Sequence, residues 1–315
     1  MRLTAAFLKM IRLPNLFFIA LTQLLFHFCI LHPVLAQAGR LPLINGILFI
    51  LLAIASVLIA AAGYIINDYF DINIDEVNKP KKNVVDHIVS RRWAMLWHFI
   101  MSGLGLLLSF YVAWKTGLWY IIIANFLCVA LLFGYSVSLK RKLLSGNILI
   151  SLLTAWVILV LCLSESSYLF YTAIEPEILN AKTKIVRLGF LYAGFAFISS
   201  LIREAIKDIE DMEGDAKYGC RTMPIVWGVH ATKVYVAVWL IVLLALLLGV
   251  QVYVLQFKWW PAIVYSIVLI ILPLLYVFYK LFQARSSKDF HALSSMTKLV
   301  MFTGILSMIF FYFYL

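Results

Sequence analysis

Charge is scarce in this 315-residue sequence: only 13% of residues are Asp, Glu, Lys or Arg, and acids are the rarer sign, 15 against 26 bases. Apolar residues make up 64%, well above the roughly 45–50% of water-soluble domains. The mean hydropathy of +0.98 agrees, so the excess must face lipid. That excludes a soluble globular enzyme, a disordered chain and a secreted disulfide scaffold. Cysteine is sparse too. Cys29, Cys128, Cys162 and Cys220 show no CxxC spacing and three lie in apolar runs, so they read as packing residues. The six histidines contain no HxxxH pair, which argues against zinc. Gly103-Leu104-Gly105 lacks a third glycine and a preceding strand, so it is no dinucleotide loop.

What is present is a series of apolar runs about 18–25 residues long, the length of a bilayer-crossing helix. They cover approximately 16–34, 44–66, 94–113, 118–137, 148–163, 186–202, 234–255, 259–279 and 299–315. The expected fold is an all-α polytopic membrane protein with nine transmembrane helices, one domain over 1–315 and no sizeable soluble part. Arg2, Lys9 and Arg12 before a run ending Ala36-Gln37-Ala38 imitate a secretory leader. The run exceeds the about 7–15 residues of a leader's apolar region, so an uncleaved first helix is expected. Segment 164–184 reads as the longest external connection.

With nine spans, the N-terminus and loops 67–93, 138–147, 203–233 and 280–298 share one side and hold 20 of the 26 Lys and Arg. The other side holds Arg40, Lys115, Lys182, Lys184, Arg187 and Lys258. By the positive-inside rule the N-terminus and charged loops face the cytoplasm, and the C-terminus lies outside. The net charge of +11 is thus a topology signal, with no nucleic-acid partner implied.

Eleven of the fifteen acids sit in two of those basic segments: Asp68, Asp71, Asp75, Glu76 and Asp86, then Glu204, Asp208, Glu210, Asp211, Glu213 and Asp215. Asn67, Asp71 and Asp75 are spaced i, i+4, i+8, with Asp68 three before Asp71, and a helix continuing past Ile66 would carry all four on one broad face. Glu204, Asp208, Asp211 and Asp215 are spaced i, i+4, i+7, i+11, again one helical face. Like charges stacked this way destabilise a helix unless something positive neutralises them, and oxygen clusters suit hard cations such as Mg²⁺. Lys79, Lys81 and Lys82 follow the first face, Arg203 and Lys207 interleave with the second, and Lys140, Arg141 and Lys142 lie between. Acids to hold metal beside bases to hold phosphate is what a departing diphosphate requires. Solvated loop acids and positive-inside anchors explain either cluster alone, but less well two matched faces on one side of the membrane.

Asn67-Asp68-Tyr69-Phe70-Asp71-Ile72-Asn73-Ile74-Asp75, followed by Asn78-Lys79-Pro80, resembles the first aspartate-rich motif of UbiA-type intramembrane prenyltransferases. Lys207-Asp208-Ile209-Glu210-Asp211-Met212-Glu213-Gly214-Asp215 resembles their second, continued by Gly219 and Thr222-Met223-Pro224. Arg12-Leu13-Pro14-Asn15, Tyr135-Ser136, Lys140 and Gly146-Asn147 are similar to further family positions. The resemblance implies a nine-helix bundle with two Mg²⁺ between the motifs, binding the diphosphate of a polyprenyl donor that ionises to an allylic cation. Asn67, Asp68, Asp71 and Asp75 would serve one metal, and Asp208, Asp211 and Asp215 the other. Lys82, Lys140 and Lys207 would contact phosphate, with Arg12, Arg141, Asn147 and Arg203 also in the substrate site. Tyr135 and Asn15 would lie near the reacting carbon, where an aromatic face favours a cation, with the tail between helices beside membrane lipid. Where family members often carry Arg-Pro after the first motif, Lys82-Asn83 stands here; lysine keeps the charge but lacks the planar fork.

The run Arg203–Asp215 looks most like the digeranylgeranylglyceryl phosphate synthase branch, implying geranylgeranylglyceryl phosphate as acceptor. Lys81, Arg141 and Lys142 are available to an acceptor phosphate. The 4-hydroxybenzoate, homogentisate and chlorophyll-type branches, with aromatic or related acceptors, remain the alternative. A transporter with interfacial acids is the competing class. It would place a charge near the midplane, whereas runs 44–66, 118–137 and 234–255 carry none. A CDP-alcohol phosphatidyltransferase would need an Asp-Gly pair with a downstream Ala-Arg, a string not found here.

Overall fold

A computed structural model describes residues 2–78, 89–171 and 176–314. Among them, nine helices are long and apolar enough to cross a membrane: α1 (Leu13–Gln37), α2 (Gly46–Asn78), α3 (Arg91–Thr116), α4 (Tyr120–Val137), α5 (Ser145–Tyr171), α6 (Pro176–Glu210), α7 (Gly228–Leu255), α8 (Trp260–Gln283) and α9 (Ser287–Tyr314). Each overlaps one of the nine apolar runs. α1 and α8 contain prolines, Pro33 and Pro273, inside the span. A proline ring clashes with the carbonyl four residues back. In both helices a π-helical turn immediately precedes the proline-bearing segment, Phe26–Leu31 and Ile267–Ile271, widening the ladder where the ring must fit.

The helices pack as a closed ring. α2 packs on α3 and α4, α5 on α6, α6 also on α7 and α9, and α1 closes the circuit against α2, α5 and α9. Without a hydrophobic drive between helices in lipid, close approach depends on small residues. Gly189 is the tightest case in α6: a Cβ there would lie 2.2 Å from the Cys162 sulfur of α5. Outside the ring, Leu107, Ile123, Val238 and Val252 are exposed, as lipid-facing positions should be. Residues Arg2–Met10 form a further short helix that buries Ala6 and Met10 against Ile65, Ile72 and Ala94.

The two ends of the bundle differ. At one end Glu165 of α5 is 1% exposed and accepts the Leu43 and Ile44 amides at 2.9 and 3.0 Å just before α2, while Lys184 donates to Gln37 at 2.8 Å. This corrects the expected 164–184 connection: α5 runs to Tyr171 and α6 begins at Pro176. The polar residues that suggested a loop are absorbed by partners, Ser164 and Ser166 donating to carbonyls four residues back. The acid-rich segments gather at the opposite end. α2 and α6 have 33 and 35 residues, about 50 Å each at 1.5 Å per residue. A bilayer core is about 30 Å thick, so each carries its acids on an extension of the span.

Candidate active site

The first acid face is helical throughout, since α2 continues to Asn78. Asp68, Asp71 and Asp75 are half-buried, while the neighbouring Asn73 and Glu76 are exposed; the face turns into the bundle. Arg12 reaches it from the turn before α1, where its backbone is left-handed (φ 53°, ψ 55°) and Pro14 starts the helix. Its guanidinium donates to Asp68 at 2.7 Å and lies 5.1 Å from the Tyr64 ring centre. Lys140, from the short turn after α4, pairs with Asp71, which also accepts the Asn67 amide at 2.8 Å. Asp75 adds its charge to the field at Arg12.

The second face departs from the expected single helix. α6 ends at Glu210, Asp211 leaves helical geometry (φ −94°, ψ 4°), and a short helix follows over Met212–Lys217. Asp208 accepts the Asn147 amide at 2.9 Å. Glu204, one turn deeper, pairs with Arg203 at 2.7 Å and Lys207 at 3.7 Å on its own helix. Asp215 lies within electrostatic range of Asp208.

Two connections join the faces. Asn78, the last residue of α2, donates to the Asp211 carbonyl at 2.9 Å and accepts the Gly214 amide at 2.9 Å. A Cβ on Gly214 would lie 2.5 Å from the Asn78 side chain, so only glycine permits this clasp. Tyr135 is the second link: Glu204, Asp71, Asp208 and Arg12 all act electrostatically on its hydroxyl. Asn15 bonds Tyr64 and accepts Lys298 Nζ at 2.7 Å. The structure therefore brings together Arg12, Asn15, Asn67, Asp68, Asp71, Asp75, Tyr135, Lys140, Asn147, Arg203, Lys207, Asp208, Asp211 and Asp215. Arg141 is exposed, accepts the Arg221 amide through its carbonyl at 2.8 Å and lies within electrostatic range of Cys220 beside Asp215 and Asp71. Lys79, Lys81, Lys82 and Asp86 lie outside the described residues. Among those described, no three acid, His or Cys side chains converge on one point where an ion could sit as they stand; Arg12 and Lys140 hold the oxygens of Asp68 and Asp71.

Below this polar layer lies a small apolar chamber of about 90 Å³ between α1, α5, α6 and α9, bounded by residues such as Phe18, Val157, Phe195, Ala196, Met301 and Met308. Three of its four hydroxyls turn back on their own helices: Thr22 donates to the Phe18 carbonyl at 2.7 Å, Thr154 to Ile150 at 2.8 Å and Ser199 to Phe195 at 2.6 Å. Cys220 at the polar end is buried, and burial pushes its thiol up to about 11, which keeps it protonated near neutrality and suits the packing role.

The profile of the UbiA prenyltransferase family matches residues 24–312. The chain belongs to that family. It is an integral membrane protein and an intramembrane prenyltransferase. Among similar proteins, the digeranylgeranylglyceryl phosphate synthase of Methanosphaera stadtmanae is 30% identical over 248 residues, 78% of this chain and 81% of that one. A solved structure described as a digeranylgeranylglyceryl phosphate synthase in membranes aligns over 98% of this chain and 99% of its own, with TM-score 0.63 and 21% identity. A UbiA homolog from Archaeoglobus fulgidus bound to GPP and Mg²⁺ aligns over 96% and 99%, with TM-score 0.53 and 15% identity. Sequence reasoning missed Tyr64, Asn78 and Lys298 as site residues. For Lys298 the signal was there, a lone charge in the stretch Leu293–Phe302 otherwise free of charge, but it had been counted as a loop cation.

Proposed function

We propose that this prenyltransferase moves a geranylgeranyl group from its diphosphate to geranylgeranylglyceryl phosphate in a Mg²⁺-dependent reaction, as one functional domain with its site open to the cytoplasm and its C-terminus outside. The observation that carries the reading is the meeting of two acid-bearing helix ends above one apolar chamber, with Tyr135 in range of Asp71 and Asp208. The donor set suits a hard cation: it is oxygen only, and Asn67 Oδ1 is buried with no hydrogen-bond partner. Asn67, Asp68, Asp71 and Asp75 would hold one ion and Asp208, Asp211 and Asp215 another; bound Mg²⁺ supplies charge neutralisation of the diphosphate. Lys140 and Lys207, with Lys82, neutralise the remaining phosphate charge. Breaking the C1–O bond releases diphosphate and leaves an allylic cation, which the Tyr135 ring stabilises. The apolar chamber takes the tail, and its wall hydroxyls are all engaged, Thr22, Thr154 and Ser199 with carbonyls of their own helices and Tyr192 with Ser307, which leaves little to compete with the acceptor for the cation. The acceptor hydroxyl forms the new C–O bond and gives up its proton to the released diphosphate.

The test is transfer by purified protein in lipid with Mg²⁺ and geranylgeranyl diphosphate. Geranylgeranylglyceryl phosphate, 4-hydroxybenzoate and homogentisate are offered separately and products weighed by mass spectrometry. We expect the prenylated glycerol phosphate alone, abolished by EDTA and restored by Mg²⁺. An aromatic product alone would overturn the acceptor, and transfer unaffected by EDTA would overturn the metal.

A further inference from the structure

Lys298 is an ionisable residue within a membrane span, a placement that asks for a partner. It lies eleven residues after the start of α9, about 16 Å along it. With Phe17, Phe18, Ser295, Leu299 and Phe302 it lines a shallow groove of about 320 Å³ between α1 and α9. Phe17 and Leu299 are exposed, so the groove faces lipid, and Phe18 is shared with the inner chamber. Nζ donates to the neutral Asn15 amide oxygen at 2.7 Å and sits 5.2 Å from the Phe18 ring centre. The charged groups acting on it are Arg203 and Arg12, both of its own sign. Those two have carboxylates, Glu204 and Asp68. Among the described residues no salt bridge joins Lys298 to a carboxylate. Independently, Arg203 Nε is buried with no hydrogen-bond partner, a donor left open beside the same cation.

Arg203 and Arg12 set like charge against Lys298, poorly screened beside a lipid-facing groove, and the carboxylates at hand, Glu204 and Asp68, are taken by the two arginines. Such a cluster is stabilised by a dianion that enters from the membrane. The donor diphosphate has its own bases, Lys140 beside Asp71 and Lys207 beside Glu204. We propose that Lys298, together with Arg203 Nε–H, receives the phosphate monoester of the acceptor lipid and so selects an anionic acceptor over a neutral aromatic one. This rests on the transfer reaction proposed above and deepens it.

The experiment uses full-length protein in phosphatidylcholine nanodiscs, comparing Lys298→Gln, Lys298→Arg and Ser295→Glu, the last placing an anion in the groove with Lys298 kept. Melting and binding of geranylgeranyl diphosphate control for folding. We expect Lys298→Gln and Ser295→Glu to raise the acceptor KM by roughly 10–100-fold, the cost of an unpaired charged contact, with donor KM and kcat within about threefold. Lys298→Arg should recover most of the loss. An equal rise in donor KM would overturn the proposal in favour of a diphosphate contact. An unchanged acceptor KM would overturn it outright while the transfer reaction stood. If phosphatidylglycerol in the discs changes activity in wild type but not in Lys298→Gln, and the acceptor KM is unaffected, the ligand is a bulk headgroup and the proposal is wrong. Wild-type transfer to a neutral aromatic acceptor alone would remove the reaction itself, and the proposal with it.

Discussion

Arg12 holds a left-handed backbone at a non-glycine position (φ 53°), a conformation costing about 1–2 kcal/mol. It returns a guanidinium aimed at Asp68, and strain of this kind is characteristic of functional sites. Asp71 and Asp208 answer to separate partners, Lys140 and the Asn147 amide, so Asp71→Asn and Asp208→Asn should each lower kcat/KM by on the order of 10²–10³-fold in the mass-detected transfer assay. Circular dichroism should show an intact helical fold in both. Near-normal turnover in both would remove these acids from the chemistry. Gly214 tests alignment rather than charge. Gly214→Ala pushes a Cβ into Asn78 and should open the clasp between the two acid segments. Displacing catalytic groups by about 1 Å can cost 100-fold, so we expect a loss approaching that in kcat, with the melting temperature little changed. A variant with full kcat would show that Asn78 is not needed to align the motifs.

At the scale of helices, excess length creates the site. α2 and α6 outrun the bilayer at the same end, and their extensions place acids beyond the hydrocarbon, where carrying them is inexpensive. Their apolar positions continue along the extensions: Ile72, Ile74, Ile206 and Ile209 stay buried, which holds the acid faces in rotational register. At the far end, Glu165 fixes the entry to α2 by accepting two amides. Glu165→Ala leaves the Leu43 and Ile44 amides without that acceptor and should cost about 1–3 kcal/mol, read as a lower unfolding temperature in detergent. KM for donor and acceptor should not move, because the change lies at the other end of the bundle. A kinetic effect without a stability effect would contradict this capping role.

For the molecule as a whole, the chamber couples membrane and site. From Met301 to Met308 on α9 it descends about 10 Å, and Tyr192, hydrogen-bonded to Ser307 at 2.8 Å, stands at its deep end. Ala196→Phe would fill its middle. We expect kcat/KM for a twenty-carbon donor to fall roughly 10–200-fold, the range for steric discrimination in an apolar pocket, and a ten-carbon donor to lose much less. Equal losses for both donors would mean that the tail runs elsewhere, along the lipid-facing groove.

The nine spans were legible in the sequence because each apolar run must satisfy its own backbone in lipid, a local requirement that composition records. The first aspartate face was legible for the same reason, since a helical face depends only on neighbours along one chain; the second was not, because α6 ends at Glu210 and Asp215 sits in a separate short helix. Where helices end was less so: α5 continues through Ser164, Glu165 and Ser166 because Leu43 and Ile44 wait for the carboxylate, and that contact joins residues 122 and 121 positions apart. The chamber walls come from four helices, and nothing in the sequence marks Ala196 or Ile158 as different from lipid-facing neighbours. Lys298 became part of the site only when α9 closed the ring against α1. The sequence by itself determined the membrane class, the span count and the crowding of acids into two segments. Tertiary structure alone decided which faces meet, which cations they share and where the apolar chamber lies, because those depend on long-range packing between helices.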